Sequence, residues 1–134
     1  MSHWALPYLG DPWHPHRHDC WVFVRRVQRD RFSRDLPAID PDNYRAETKA
    51  ALFASHPHRH AWQEVPREAV QEGDCVRMAN ASNPGHVGVW IDVDGGRVLH
   101  CDDPMGVMAT PLASLADLYT DIRFYRFVGE KCQP

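Results

Sequence analysis

An α+β domain is predicted for this chain from three features of its sequence. Helix-period sequence comes first, strand-period sequence comes second, and the strand segments are separated by short turns rich in Gly, Asp and Asn. The 134 residues fit one domain, expected to run over 1–134 with an irregular lead-in over 1–18 and a polar tail over 129–134. With 43% hydrophobic and 25% charged residues, the composition is that of a folded chain with one core. A formal net charge of −3 excludes broad electrostatic capture of nucleic acid. Apolar runs stay short of the roughly 18 residues that a membrane span needs, so membrane insertion is not expected. The start, Met1 to Pro7, has neither a basic nor an apolar signal region; synthesis in the cytoplasm without a signal peptide is the expectation.

Each element has a local cause. Pro7, Gly10, Pro12 and Pro15, with Trp4, Tyr8 and Trp13, make the lead-in irregular. Asp19 is an N-cap for a helix over Cys20–Phe32, in which Cys20, Phe23, Val24 and Val27 recur at spacings of three and four. Leu36 to Asp42 breaks that pattern, and a second helix is predicted from about Asn43 to Ala54. Strands follow at Ala61–Val65, Cys75–Met78, His86–Val93 and Arg97–Cys101, then a short helix near Pro111–Tyr119 and a last strand at Asp121–Val128. Asp94-Gly-Gly96 is the turn of a hairpin, since those residues tolerate positive φ. The result is an antiparallel sheet of about five strands with helices on one face.

Four cysteines without a CxxC pair are too few for a disulfide scaffold and are read as free thiols. Cys20 differs from the other three by its place at a capped helix start. The unpaired N–H groups and the positive dipole end there favour a thiolate. Alternation puts His86, Gly88 and Trp90 on one side of their strand, and His100 ends the return strand. The hairpin sets the two histidines nearly opposite each other at its open end, which suits a base and its orienting partner.

The ordered set Tyr8-Leu-Gly-Asp-Pro-Trp13, Asp19-Cys-Trp-Val-Phe-Val-Arg25, Glu72-Gly-Asp-Cys-Val-Arg-Met78, His86-Val-Gly-Val-Trp-Ile91 and Val98-Leu-His100 resembles the NlpC-type cysteine peptidases, papain-like cell-wall hydrolases. The lead-in and the Asp-Cys-Trp form are most similar to the branch found in phage and prophage tails. The resemblance implies a papain-like fold with a nucleophile-bearing N-terminal helix, Cys20 as nucleophile, His86 as general base and His100 as the residue that orients it. It implies that Tyr8 lines the substrate site and that Asp19 holds the helix start beside it, while Trp21 is assigned to the groove with core packing as the alternative. The implied reaction is amide hydrolysis in peptidoglycan stem peptides, between a γ-linked D-glutamyl residue and a diamino acid, without a cofactor or metal. Peptidoglycan stem peptides are the implied partner, phage tail proteins the implied carrier, and the cell wall the place of action. Val22 stands where many relatives have glycine, and a long hairpin leaves Asp102 or Asp103 as competitors of His100 for the third role.

Two other readings compete. A catalytically idle tail-assembly module would keep the same fold. The histidine pentapeptides His14–His18 and His56–His60, among nine histidines in all, raise a zinc-binding protein as a third reading. Both pentapeptides carry Pro and Arg in predicted loops, and polar surface loop is the preferred reading of each.

Overall fold

The computed structural model describes residues 3–15, 17–36, 62–83 and 85–129. The predicted helix at 43–54 and the pentapeptide His56–His60 lie outside the described residues. The ordered elements are α1 (Cys20–Phe32), β1 (Trp62–Val65), β2 (Cys75–Ala79), β3 (His86–Ile91), β4 (Arg97–Asp102), β5 (Gly106–Pro111), α2 (Leu112–Ala116) and β6 (Asp121–Phe127). Single 3-10 turns occur at Leu6–Tyr8 and Arg67–Ala69.

The strands form one six-stranded sheet in the order β1-β6-β2-β3-β4-β5. Every pairing is antiparallel. This is one strand more than expected. The added strand is β5, which pairs along β4 from Arg97↔Pro111 to Asp102↔Gly106. Its far end takes up the lead-in: Gly10 N–H donates to Val107 O at 3.0 Å, and Val107 N–H donates to Asp11 O at 2.9 Å. Gly106 is required there, because its φ is 82° and a Cβ would lie 2.4 Å from Asp11 O.

Helix α1 packs across β3 and β4. Phe23, Val24 and Val27 have no exposed surface and meet Val87, Val89, Ile91, Leu99 and Cys101 on one sheet face. Burying each of these helix residues contributes about 1.5–3 kcal/mol, so α1 is held by its apolar stripe rather than by propensity. The opposite sheet face carries a second cluster, Val76, Met78, Trp90, Val98 and Phe124, covered by Leu115 of α2. The expectation of helices on one face is therefore corrected. All six residues of β3 are buried, Val87, Val89 and Ile91 on one side and His86, Gly88 and Trp90 on the other, so each side needs its own cover.

Candidate active site

The start of α1 is built by Asp19. Its backbone is extended, and its Oδ1 accepts from Trp21 N–H at 3.1 Å and Val22 N–H at 3.0 Å. These bonds satisfy two of the donors that a helix start leaves open, and they fix Cys20 as the first helical residue. Oδ2 of Asp19 is buried without a hydrogen-bond partner. The cap is thus the observed role of Asp19, which is 3% exposed.

The histidines come from β3 and β4. Trp90 pairs with Val98 and Val89 with Leu99. Continued toward the open end, that register sets Gly88 across from His100 and Asp102 across from His86. The imidazoles therefore meet diagonally rather than directly, with His86 Nε2 2.8 Å from His100 Nδ1. Gly88 makes the diagonal possible: a Cβ there would lie 2.6 Å from Val98 Cγ1 and 3.0 Å from His100 Cβ. The rings are edge-to-face, 5.0 Å between centroids. His100 Nε2 lies 2.9 Å from Thr110 Oγ1 of β5. Burial pulls the His100 pKa down to about 4, against a smaller opposing effect of Asp102, so this ring is neutral near pH 7. A neutral His100 that donates from Nε2 to Thr110 accepts at Nδ1 from His86 Nε2–H. That leaves Nδ1 of His86 as its basic nitrogen.

Tyr119 and Cys101 tie Cys20 to this pair. The Tyr119 ring stacks on His86 at 6.0 Å and 10°. Its phenol is raised by burial and then by the charges of Asp102 and Cys20, so it remains a neutral phenol. Cys101, on β4, is pushed up to about 12 by burial first and then by Cys20, Asp19, Asp102 and Asp11. Its Sγ lies 3.3 Å from His18 O, beside the start of α1. Burial raises the Cys75 thiol further still, so neither thiol ionises near neutral pH. Cys20, His86 and His100 are themselves only 3%, 3% and 2% exposed.

Two expected groove residues are buried. The Tyr8 hydroxyl donates to Asp30 Oδ2 at 3.0 Å, and Arg26 stacks over its ring. Asp30 is roughly 15 Å along α1 from Cys20, at about 1.5 Å per residue. Tyr8 is buried against Phe23 and braces the helix flank. Trp21, 2% exposed, belongs to the core beneath α1. A helix residue next to the nucleophile points about 100° away from it, and here that direction leads inward. His18 is also structural, since Nδ1 donates to Pro12 O at 2.8 Å and Nε2 accepts from Arg26 at 3.2 Å. Sequence reasoning passed over Thr110 and Tyr119 because both reach the site through tertiary placement of β5 and the end of α2. Asp102, one of the competitors for the third role, is near His100 without replacing it in the hydrogen bond to His86. Its carboxylate, with the two imidazoles, forms a group whose ligand atoms lie within 4.8 Å of one another.

Comparison with known proteins bears on the whole arrangement. The NlpC/P60 family model matches residues 7–116. Among solved structures, the crystal structure of the NlpC/p60 domain of the peptidoglycan hydrolase SagA is similar, with a TM-score of 0.59 and 19% sequence identity. The match covers 90% of this chain and 91% of that one. The search of curated proteins gave no match. Among the described residues, no helix is long and apolar enough to cross a membrane.

Proposed function

The chain belongs to the NlpC/P60 family, and from that membership we propose that it is a cysteine peptidase hydrolysing an amide of peptidoglycan stem peptides. The bond assigned is the one between a γ-linked D-glutamyl residue and a diamino acid. The observation that carries this reading is the hydrogen-bond series from His86 Nε2 to His100 Nδ1 and from His100 Nε2 to Thr110 Oγ1. It leaves a basic Nδ1 on His86, whose ring stacks on Tyr119, and the Tyr119 phenol is raised in part by Cys20 at the capped start of α1.

In this mechanism His86 Nδ1 takes the Cys20 proton, helped by the positive end of α1, which favours the thiolate. The thiolate attacks the scissile carbonyl, and backbone N–H groups at the helix start, Cys20 N–H among them, stabilise the oxyanion. His86, now an imidazolium, donates Nε2–H to His100 and gives its Nδ1 proton to the leaving amine. A thioester remains on Cys20. His86 then activates water, which releases the carboxylate and restores the thiol. His100, neutral and anchored on Thr110, holds the ring of His86 in one tautomer throughout.

The test is mass spectrometry of purified sacculi incubated with the protein. New stem-peptide termini at the γ-D-glutamyl bond, absent with Cys20→Ala, are the predicted result; equal cleavage by that variant contradicts it. One observation favours a catalytically idle module of the same fold, namely the near-complete enclosure of Cys20, His86 and His100. No new termini with the wild-type protein would decide for that reading. Action at the cell wall, carried there by a phage or prophage tail, completes the proposal. It rests on the Tyr8–Trp13 and Asp19–Arg25 forms, and it predicts the protein in purified virions.

A further inference from the structure

We propose that His86, His100 and Asp102 form a zinc site at which the metal reversibly inhibits the enzyme; the inhibition, though not the binding, rests on the peptidase reading above. Three observations support it. The ligand atoms of these side chains already lie within 4.8 Å of one another. Tetrahedral zinc with bonds of roughly 2.0–2.1 Å needs its ligand atoms about 3.3 Å apart, so the rearrangement required is small. The strand register then explains why the three converge: His100 and Asp102 are alternate residues on one face of β4, and the β3–β4 register, continued beyond Val89↔Leu99, brings His86 of β3 toward Asp102. Two alternate residues of one strand and one of its neighbour supply three ligands, one fewer than a tetrahedral zinc holds.

The ligand set suits the metal. Two imidazoles and a carboxylate are borderline donors that favour zinc over calcium or magnesium. Asp102 Oδ1 accepts from Asp103 N–H at 3.1 Å, and among the described residues no hydrogen bond engages its Oδ2. The nitrogens zinc would take are those of the His86–His100 hydrogen bond. Binding at His86 Nε2 shifts the ring proton to Nδ1, the nitrogen that must take the Cys20 proton, so hydrolysis stops until the metal is removed.

The experiment titrates zinc alone into the full chain. Calorimetry measures binding, stem-peptide hydrolysis measures inhibition, and cobalt(II) substitution gives an absorption band for a tetrahedral site. Each variant is referred to its own rate in chelator-treated buffer. The predicted result is one zinc equivalent that inhibits, reversal by EDTA, and a weakening of both binding and inhibition by at least about tenfold in Asp102→Asn. His56→Ala/His60→Ala is predicted to leave the inhibitory equivalent in place. Wild-type zinc affinity and sensitivity in Asp102→Asn would overturn the proposal, as would binding without inhibition of an active enzyme. Zinc binding with the predicted variant pattern in a chain that never hydrolyses stem peptides would refute the peptidase reading while leaving the metal site standing.

Discussion

His86 and Gly88 are alternate residues on one face of β3, and the absence of a side chain on the second sets the partner of the first. Because Gly88 has no Cβ, His100 advances along that face until its Nδ1 reaches His86 Nε2 at 2.8 Å. Had the hairpin register carried the pairing by itself, His86 would face Asp102.

Gly88→Ala is therefore expected to damage site and sheet together. The added methyl meets Val98 Cγ1 at 2.6 Å and Leu99 O at 2.9 Å, and the second of these is backbone that cannot swing aside. A loss of about 1–3 kcal/mol by urea unfolding is expected, typical of overpacking. The remaining folded protein should hydrolyse stem peptides more slowly, because the His86–His100 bond is lengthened.

Thr110→Val removes the acceptor of His100 Nε2–H with little change in volume. His100 can then take the other tautomer, placing a proton on Nδ1, where it must accept from His86. A fall in kcat of about tenfold is expected, with KM unchanged, if Thr110 acts through the His100 ring alone. His86→Ala should cost far more, in the range of about 10²–10⁴ for loss of an acid-base group. An equal loss in both variants would mean that Thr110 acts through folding alone.

His100 also makes stability depend on pH. Its folded pKa of about 4 lies below the unfolded value of 6.5, so between these values the unfolded chain binds the extra proton. Stability then rises with pH across that window, is flat above it, and has lost the whole contribution below about pH 4. The difference corresponds to about 3 kcal/mol in total, of which about 2 kcal/mol falls between pH 7 and pH 5, where carboxylates stay ionised. Urea unfolding at those two pH values should show this drop for the wild type and a smaller one for His100→Gln.

Tyr119 stacks on His86 and feels the charge of Cys20, so its ring face stabilises the imidazolium form of the base. Tyr119→Leu keeps apolar bulk and removes that face. A lower kcat/KM is expected, with the basic limb of its pH profile moved to lower pH as the imidazolium is less favoured. Tyr119→Phe keeps the ring and should restore the wild-type profile. Both variants should melt close to the wild type, because Tyr119 is only half-buried.

The parts of this arrangement that were legible in the sequence are those with local causes. Asp19 announces α1, and the Asp94-Gly-Gly96 turn, with φ of 49°, 82° and 114°, announces the β3–β4 hairpin. Strand β5 escaped because Gly106-Val-Met-Ala-Thr-Pro111 lacks a period-two apolar pattern, and it is a strand by virtue of pairing with β4. Thr110 was hidden with it. Tyr119 was assigned to the end of a helix, whereas α2 stops at Ala116 and the chain turns to carry the ring onto His86. Tyr8 was assigned to the substrate wall through its motif, yet Asp30 and Arg26, more than a turn beyond Cys20 on α1, take its hydroxyl and ring.

The account turns on Cys20 being ionised near neutral pH while its neighbours are not. Alkylation rates at each cysteine, measured by peptide mass spectrometry as a function of pH in a Cys132→Ala background, test this directly. Cys20 should label fast with a midpoint below that of an ordinary thiol, about 8.5, and His86→Ala should move that midpoint up. Cys75 and Cys101 should stay nearly unlabelled until the protein unfolds. Equal rates at the three sites, or a Cys20 midpoint at or above the ordinary value, would contradict the account.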